Sequence, residues 1–129
     1  VEGTQHFRNI QRHHVLTSNA VLSIRIDENL TFLNANTFKG FLINAMSQYA
    51  NLEHVVINCS SISAIDLSAL EMLEDLNTEL HKLEIKLHFS EIKGPVMDKL
   101  RHSKLLNQLS GRIYLSHFQA MQELSPEVF

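Results

Sequence analysis

The loop Ser60-Ser-Ile-Ser-Ala-Ile-Asp-Leu-Ser68 is the stretch of this chain whose residue types could carry chemistry. It bears hydroxyls at Ser60, Ser61, Ser63 and Ser68 and a carboxylate at Asp66. A helix is expected to follow at once. The first amides of a helix have no internal partners, so a hydroxyl-rich turn at that point can receive an anion or a phosphate. Two structural assignments compete with that chemistry. Ser68-Ala-Leu-Glu71 fits a capping box, in which serine and glutamate satisfy each other's amides. Asp66 fits equally well as an N-cap that complements the helix dipole. The functional assignment is an exposed Ser68 hydroxyl open to phosphorylation. The added dianion would gain from the helix amides and be repelled by Asp66 and Glu71, which switches a surface by charge without changing the fold.

Other chemistries find less support. Ser68, Asp66 and a histidine could form a nominal triad, but no G-x-S-x-G elbow is present and no histidine is spaced to reach Ser68. Hydrolysis is therefore not expected. The glycines Gly3, Gly40, Gly94 and Gly111 are isolated, so no phosphate-cradling loop exists. The histidines are scattered apart from His13-His14, and neighbours on a strand point to opposite faces, which argues against a metal site. Cys59 is the only cysteine; it ends an apolar run and is expected to be a small core residue.

These residues are placed by alternating strand and helix patterns. Val21 to Asp27 alternates apolar and polar residues and predicts a strand with one buried face. Leu30 to Leu33 suggests a second short extended stretch. With Asn34, Asn36 and Thr37 as candidate caps, Phe38, Leu42, Ala45, Met46 and Tyr49 predict an amphipathic helix to about Ala50. His54 to Cys59 is apolar throughout, as in a central strand covered on both faces. Leu67, Leu70, Leu73, Leu76, Leu80 and Leu83 mark a second helix, read as core because their spacing lacks a sustained heptad. Ile85 to Ile92 predicts a third principal strand, and Val96, Met97, Leu100 and Leu105 a third helix with Pro95 in its first turn. Ile113 to Leu115 suggests a last strand, and Phe118, Met121 and Leu124 a terminal helix. The alternation implies parallel pairing with right-handed crossovers, in an α/β domain whose sheet of four or five strands is packed by helices.

In such a sheet, ligands gather at the carboxyl ends of the strands. Those ends are expected at 60–68, at Asn34 to Thr37 and at Glu91 to Gly94.

Composition limits the partners. The chain has 129 residues, 44% hydrophobic and 19% charged, with a net charge of −3, which suits one globular domain. The strongest basic cluster (Arg8, Arg12, His13, His14) is short, so nucleic acid is not an expected partner. A lone cysteine points to a reducing compartment. No apolar run approaches the roughly 20 residues of a membrane span, and no signal peptide opens the chain. The chain itself is expected to be soluble. Starting on Val1 and not on methionine, it is expected to be a piece of something longer.

The order of elements, and Ile65-Asp-Leu-Ser68 in particular, resembles the STAS domain, shared by anti-sigma-factor antagonists and the C-terminal tails of SulP anion permeases. The resemblance runs from about His6 to Leu124 and implies the STAS-like α/β fold, a mixed, mainly parallel sheet of four or five strands with about four helices. It places Ser68 on the antagonists' phosphoacceptor position and Asp66 on the aspartate two residues before it. Three segments resemble the SulP branch. Asp66-Leu-Ser-Ala-Leu70 has alanine where antagonists usually have glycine, Lys93 to Leu100 contains Gly-Pro-Val-Met-Asp, and Val21 to Ala35 contains Arg-Ile-Asp and then Phe-Leu-Asn-Ala. Gly3 to Asn9 resembles the stretch after the last membrane span of those permeases.

The resemblance implies a non-catalytic regulatory or interaction domain on the cytoplasmic face of the inner (plasma) membrane. It would support the folding, targeting or activity of a multi-pass, homodimeric, sulfate-like anion transporter. Its implied partners are the transmembrane part of the same chain and a cytosolic regulatory protein. The alternative is a free-standing switch regulated by serine phosphorylation. Residues 1–17 would be a linker or edge strand leading in from the membrane part, 18–125 the domain and 126–129 a tail. The interaction loop comprises Ser60, Ser61, Ser63, Asp66 and Ser68. Asn34, Asn36 and Ser68 are the candidate anion or nucleotide contacts. No cofactor is expected; without a glycine-rich cradle, GTP or ATP would bind at millimolar strength or not at all.

Overall fold

The computed structural model describes residues 14–16 and 20–126. Most of the leading segment 1–17, including Gly3 to Asn9 and the cluster Arg8, Arg12 and His13, lies outside the described residues, as do 127–129 of the tail. A five-stranded sheet runs in the order β1-β2-β3-β4-β5, built from β1 (His14–Leu16), β2 (Val21–Arg25), β3 (His54–Asn58), β4 (Lys86–Ser90) and β5 (Ile113–Tyr114). β1 pairs antiparallel with β2, and the remaining pairs are parallel. The helices are α1 (Ala35–Met46), α2 (Leu67–Lys82), α3 (Gly94–Arg101), α4 (Leu105–Gln108) and α5 (His117–Leu124). The architecture is the expected mixed, mainly parallel α/β sheet, with one helix more than expected.

Strand pleating sends successive side chains to opposite faces, and both faces are covered. Leu22, Ile24, Val55, Ile57, Leu87 and Phe89 meet α1, α2 and the apolar residues of α3 and α4 in the main core. Val21, Val56 and Tyr114 meet Ala120 and Met121 of α5 on the other face. This corrects the half-buried reading of β2. Ser23 is buried as well, because α5 returns from nearly a hundred residues away to cover it.

Local expectations shift in four other places. Only Leu30 of the 30–33 stretch pairs, through an isolated bridge to Ile65, and 32–34 form a turn. α1 ends at Met46, where the backbone passes into turns (Gln48 N–H to Ala45 O, Tyr49 N–H to Met46 O). In α2, Leu70, Leu73, Leu76 and Leu80 are buried, whereas Leu67 and Leu83 at the two ends are exposed. The third helix is interrupted between Arg101 and Leu105, so Leu105 belongs to a separate turn of helix. α2 is tied to the far edge by buried Asn77, which donates to Gln108 O at 2.8 Å and accepts from Ser110 N–H at 3.3 Å.

Candidate functional site

The loop after β3 is held from outside by Asn29, whose Oδ1 accepts from Ser63 N–H (2.8 Å), Ser63 Oγ (3.2 Å) and Ala64 N–H (3.1 Å). Asn58 Oδ1 holds the loop's start by accepting from Ser60 N–H at 2.9 Å. Asp66 is the N-cap of α2. Its Oδ1 accepts from Ala69 N–H at 2.9 Å, and its Oδ2 reaches across to Phe32 N–H at 2.8 Å. This decides between the two capping assignments. Ser68 lies inside the first turn and caps nothing, so the serine capping box is corrected. Asp66 wins because a carboxylate offers two acceptor oxygens, and here one serves the helix and the other the turn that carries Phe32.

That second bond sets the surface. Phe32, Leu33 and Leu67 stand 68%, 76% and 71% exposed, on the two segments that the Asp66 carboxylate ties together. Ser68 is exposed among them. It shares a shallow groove of about 320 Å³ with Phe32, Asn36, Glu71 and Asp75. Ser60 and Ser61 lie at the other end of the loop, and Ser63 is engaged by Asn29. The structure therefore brings Ser68 and Asn36 together and leaves Ser60, Ser61 and Ser63 outside their groove.

Asn34 takes a different role. It is 3% exposed, makes no side-chain cap to α1, accepts from Thr31 N–H at 2.9 Å and donates to Asn29 O at 2.9 Å. Both its amide oxygen and its amide nitrogen are engaged in shaping the turn. Cys59 is buried, and burial pushes its thiol up to about 12, so it does no thiolate chemistry at neutral pH. No hydrogen bond joins Ser68 to a histidine among the described residues, and no group of three metal-ligating side chains occurs among them.

Sequence reasoning missed His117, which sits beneath the same end of the sheet. Its ring bridges Ser23 Oγ on β2 and Ser90 Oγ on β4, each at 2.8 Å. Its backbone N–H donates to Glu91 Oε2 at 2.9 Å, from a residue held at φ 57°. Burial lowers its pKa, and Glu91 works against that shift.

Asp66→Ala removes both bonds at once. We expect a loss of about 1.5 kcal/mol in urea unfolding, since a lost N-cap costs about 1 kcal/mol and the Phe32 amide is exposed and rehydrates. The backbone signals of Phe32 and Ala69 should move in the same variant. A loss below about 0.5 kcal/mol with unmoved Phe32 would show that the carboxylate does not organise this surface.

Comparison with known proteins places this geometry in context. The family model described as STAS domain matches residues 13–120. Sulfate transporter 1.3 of Arabidopsis thaliana is 28% identical over 99% of this chain, and high affinity sulfate transporter 2 of Stylosanthes hamata is 27% identical over 97%. The chain spans about a fifth of the length of these relatives (21% and 20%). Among solved structures, the murine Solute Carrier 26 family member A9 anion transporter matches 83% of this chain, over 18% of its own length, with a TM-score of 0.73 at 16% identity. A putative anti-sigma factor antagonist from Thermotoga maritima also gives 0.73 at 16% identity, covering 92% of this chain and 97% of its own. The SulP transporter STAS domain from Vibrio cholerae gives 0.68 at 15% identity, covering 97% of both chains.

Proposed function

We propose, from the premise that this chain belongs to the STAS domain family, that it is the regulatory and interaction domain of a SulP-type anion transporter. The observation that carries this reading is the exposed apolar side chains of Phe32, Leu33 and Leu67 on the two segments beside Ser68 that Asp66 ties together, a surface suited to contact. The transporter assignment is supported by curated relatives that carry a matching segment as about a fifth of a longer chain. In this reading the domain sits on the cytoplasmic face of the plasma membrane, beneath the transmembrane part of the same chain. It supports that part's folding, targeting or transport rate, within a homodimer. It can bias a two-state transporter only by binding one conformation more tightly than the other.

The test is to change the surface without changing the fold. Phe32→Glu combined with Leu67→Glu alters two exposed side chains, so the domain's backbone spectrum should stay native outside the patch. Uptake of the transported anion, or accumulation of the transporter in the membrane, should fall sharply. Normal uptake and abundance in that double variant would defeat the reading.

A second reading rests on the exposed Ser68 hydroxyl and on the likeness to a putative antagonist over 97% of that protein. Here the chain is a free switch controlled by phosphorylation of Ser68. Cell fractionation separates the two. A species near the chain's own 14.8 kDa in the soluble fraction supports the switch, and a several-fold larger species in the membrane fraction supports the transporter tail.

A further inference from the structure

A second constellation lies on the α5 side of the sheet, towards the amino ends of β3 and β4. Arg112 N–H lies 3.0 Å from Nδ1 of His88. A backbone amide only donates, so that nitrogen holds a lone pair and the His88 proton is on Nε2. Nε2 in turn stands 3.0 Å from Nδ1 of His54, which must accept, leaving the His54 proton on its own Nε2. One backbone amide thus fixes both tautomers and aligns a chain of donors. The chain ends on half-buried His54, whose Nε2–H has no acceptor among the described residues.

That end opens on a cleft of about 420 Å³ lined by His54, Lys86, His88, Arg112, Tyr114 and Glu123. Its charges are unevenly paired. Glu123 Oε1 takes Arg112 Nη1 at 3.0 Å, in a largely exposed pair, and Glu123 adds to the burial that raises the Tyr114 pKa. Lys86 is exposed and has no carboxylate within ion-pair distance among the described residues. Glu53, exposed at the start of β3, is the one acidic group that acts on His54, and Lys86 acts on it in the opposite sense. A metal ion is poorly served here, because both nitrogens of His88 and Nδ1 of His54 are already engaged. A ligand that only accepts is well served.

We propose that this cleft binds a small dianionic oxyanion of the sulfate or phosphate class, held by Lys86 Nζ and His54 Nε2–H. Arg112 is the third donor, and it turns to the anion by exchanging its exposed pair with Glu123. The site does not depend on the Ser68 surface or on attachment to a transporter, and a free-standing domain would carry it equally.

The test uses the isotopically labelled 129-residue chain. The imidazole nitrogens of His54 and His88 are followed while sodium sulfate, inorganic phosphate or sodium chloride is added at matched ionic strength. Both rings should shift saturably with sulfate and phosphate. Lys86→Gln should raise the half-saturating concentration about tenfold or more, as expected for loss of one charged hydrogen bond. Because Lys86 is exposed, the rest of the spectrum should stay native, and Arg112→Gln should weaken binding in the same direction. Shifts that follow ionic strength equally for chloride, or a sulfate response unchanged in Lys86→Gln, would overturn the proposal.

Discussion

Gly111→Ala should destabilise the protein by about 3 kcal/mol, at the upper end of what one added methyl costs in a closed site. The cause is space and not backbone conformation, since Gly111 has no positive φ. A Cβ at Gly111 would overlap the Leu87 carbonyl oxygen and stand 2.6 Å from His88 Nδ1 and 2.8 Å from its Cε1. Neither neighbour can yield cheaply. Leu87 is backbone of a strand paired on both sides, and the His88 ring is held by His54. The alanine chain must therefore back away from β4, and the bonds it carries go with it. These are Arg112 N–H to His88 Nδ1 (3.0 Å), Phe89 N–H to Arg112 O (3.0 Å) and Leu87 N–H to Ser110 Oγ (3.2 Å). Urea unfolding at neutral pH measures the loss. Gly40→Ala provides the contrast, because nothing lies within 4 Å of a Cβ there and alanine favours the middle of α1. Equal midpoints for the two variants would show that the close approach at Gly111 is not real.

Gly111 also illustrates where sequence reading loses its grip. The leucines of α2 announce themselves because a periodic apolar stripe has a single physical explanation, burial of one helix face, and Leu70, Leu73, Leu76 and Leu80 are all buried. The β3 run is legible for the same reason. Leu67 and Leu83 belong to the same stripe and yet are exposed, since periodicity fixes the face but not how far the covering elements extend along it. β2 misleads in the other direction. Ser23 reads as the solvent side of an alternating strand, and its actual partner is the ring of His117 on α5. A polar residue is satisfied by whichever distant group the fold delivers, and local spacing carries no information about that.

The site divides along the same line. Asp66 as a cap and Ser68 beside it are local features, and both could be named from six residues. Asn29, which holds three donors of the loop at once, had no signal beyond being a polar residue near the end of a strand. Phe32 and Leu33 looked like strand residues because apolar pairs usually are buried. Their exposure follows from a turn pinned by Asn34 inside and Asp66 outside. The proposed contact surface is thus made by residues that break the hydrophobic rule, and only the fold reveals which ones do.

Acid should weaken this fold through His88, by about 3 kcal/mol between pH 6.5 and pH 4. His88 is 3% exposed, and burial, with added repulsion from His54, Lys86 and Arg112, lowers its pKa from the ordinary 6.5 to about 4. Across that window the unfolded chain binds a proton that the native chain refuses. Stability is therefore complete above pH 6.5, declines as pH falls, and the loss from this residue levels off below about 4. The geometry explains the refusal. Protonating Nδ1 would set two N–H groups against each other across the 3.0 Å contact with Arg112, and the Nε2 proton is already committed to His54. His54 and His117, both lowered chiefly by burial, act in the same sense. Carboxylates also titrate near the lower end of the range, so the informative quantity is a difference between proteins. The urea midpoint of the natural chain should fall steeply from pH 7 to pH 4, and that of His88→Gln, whose side-chain carbonyl can still accept from Arg112, should start lower and fall much less. Parallel slopes would mean that His88 takes up its proton as readily in the folded protein as in the unfolded one, and that the histidine pair is not the proton-intolerant link between β4 and the Arg112 turn.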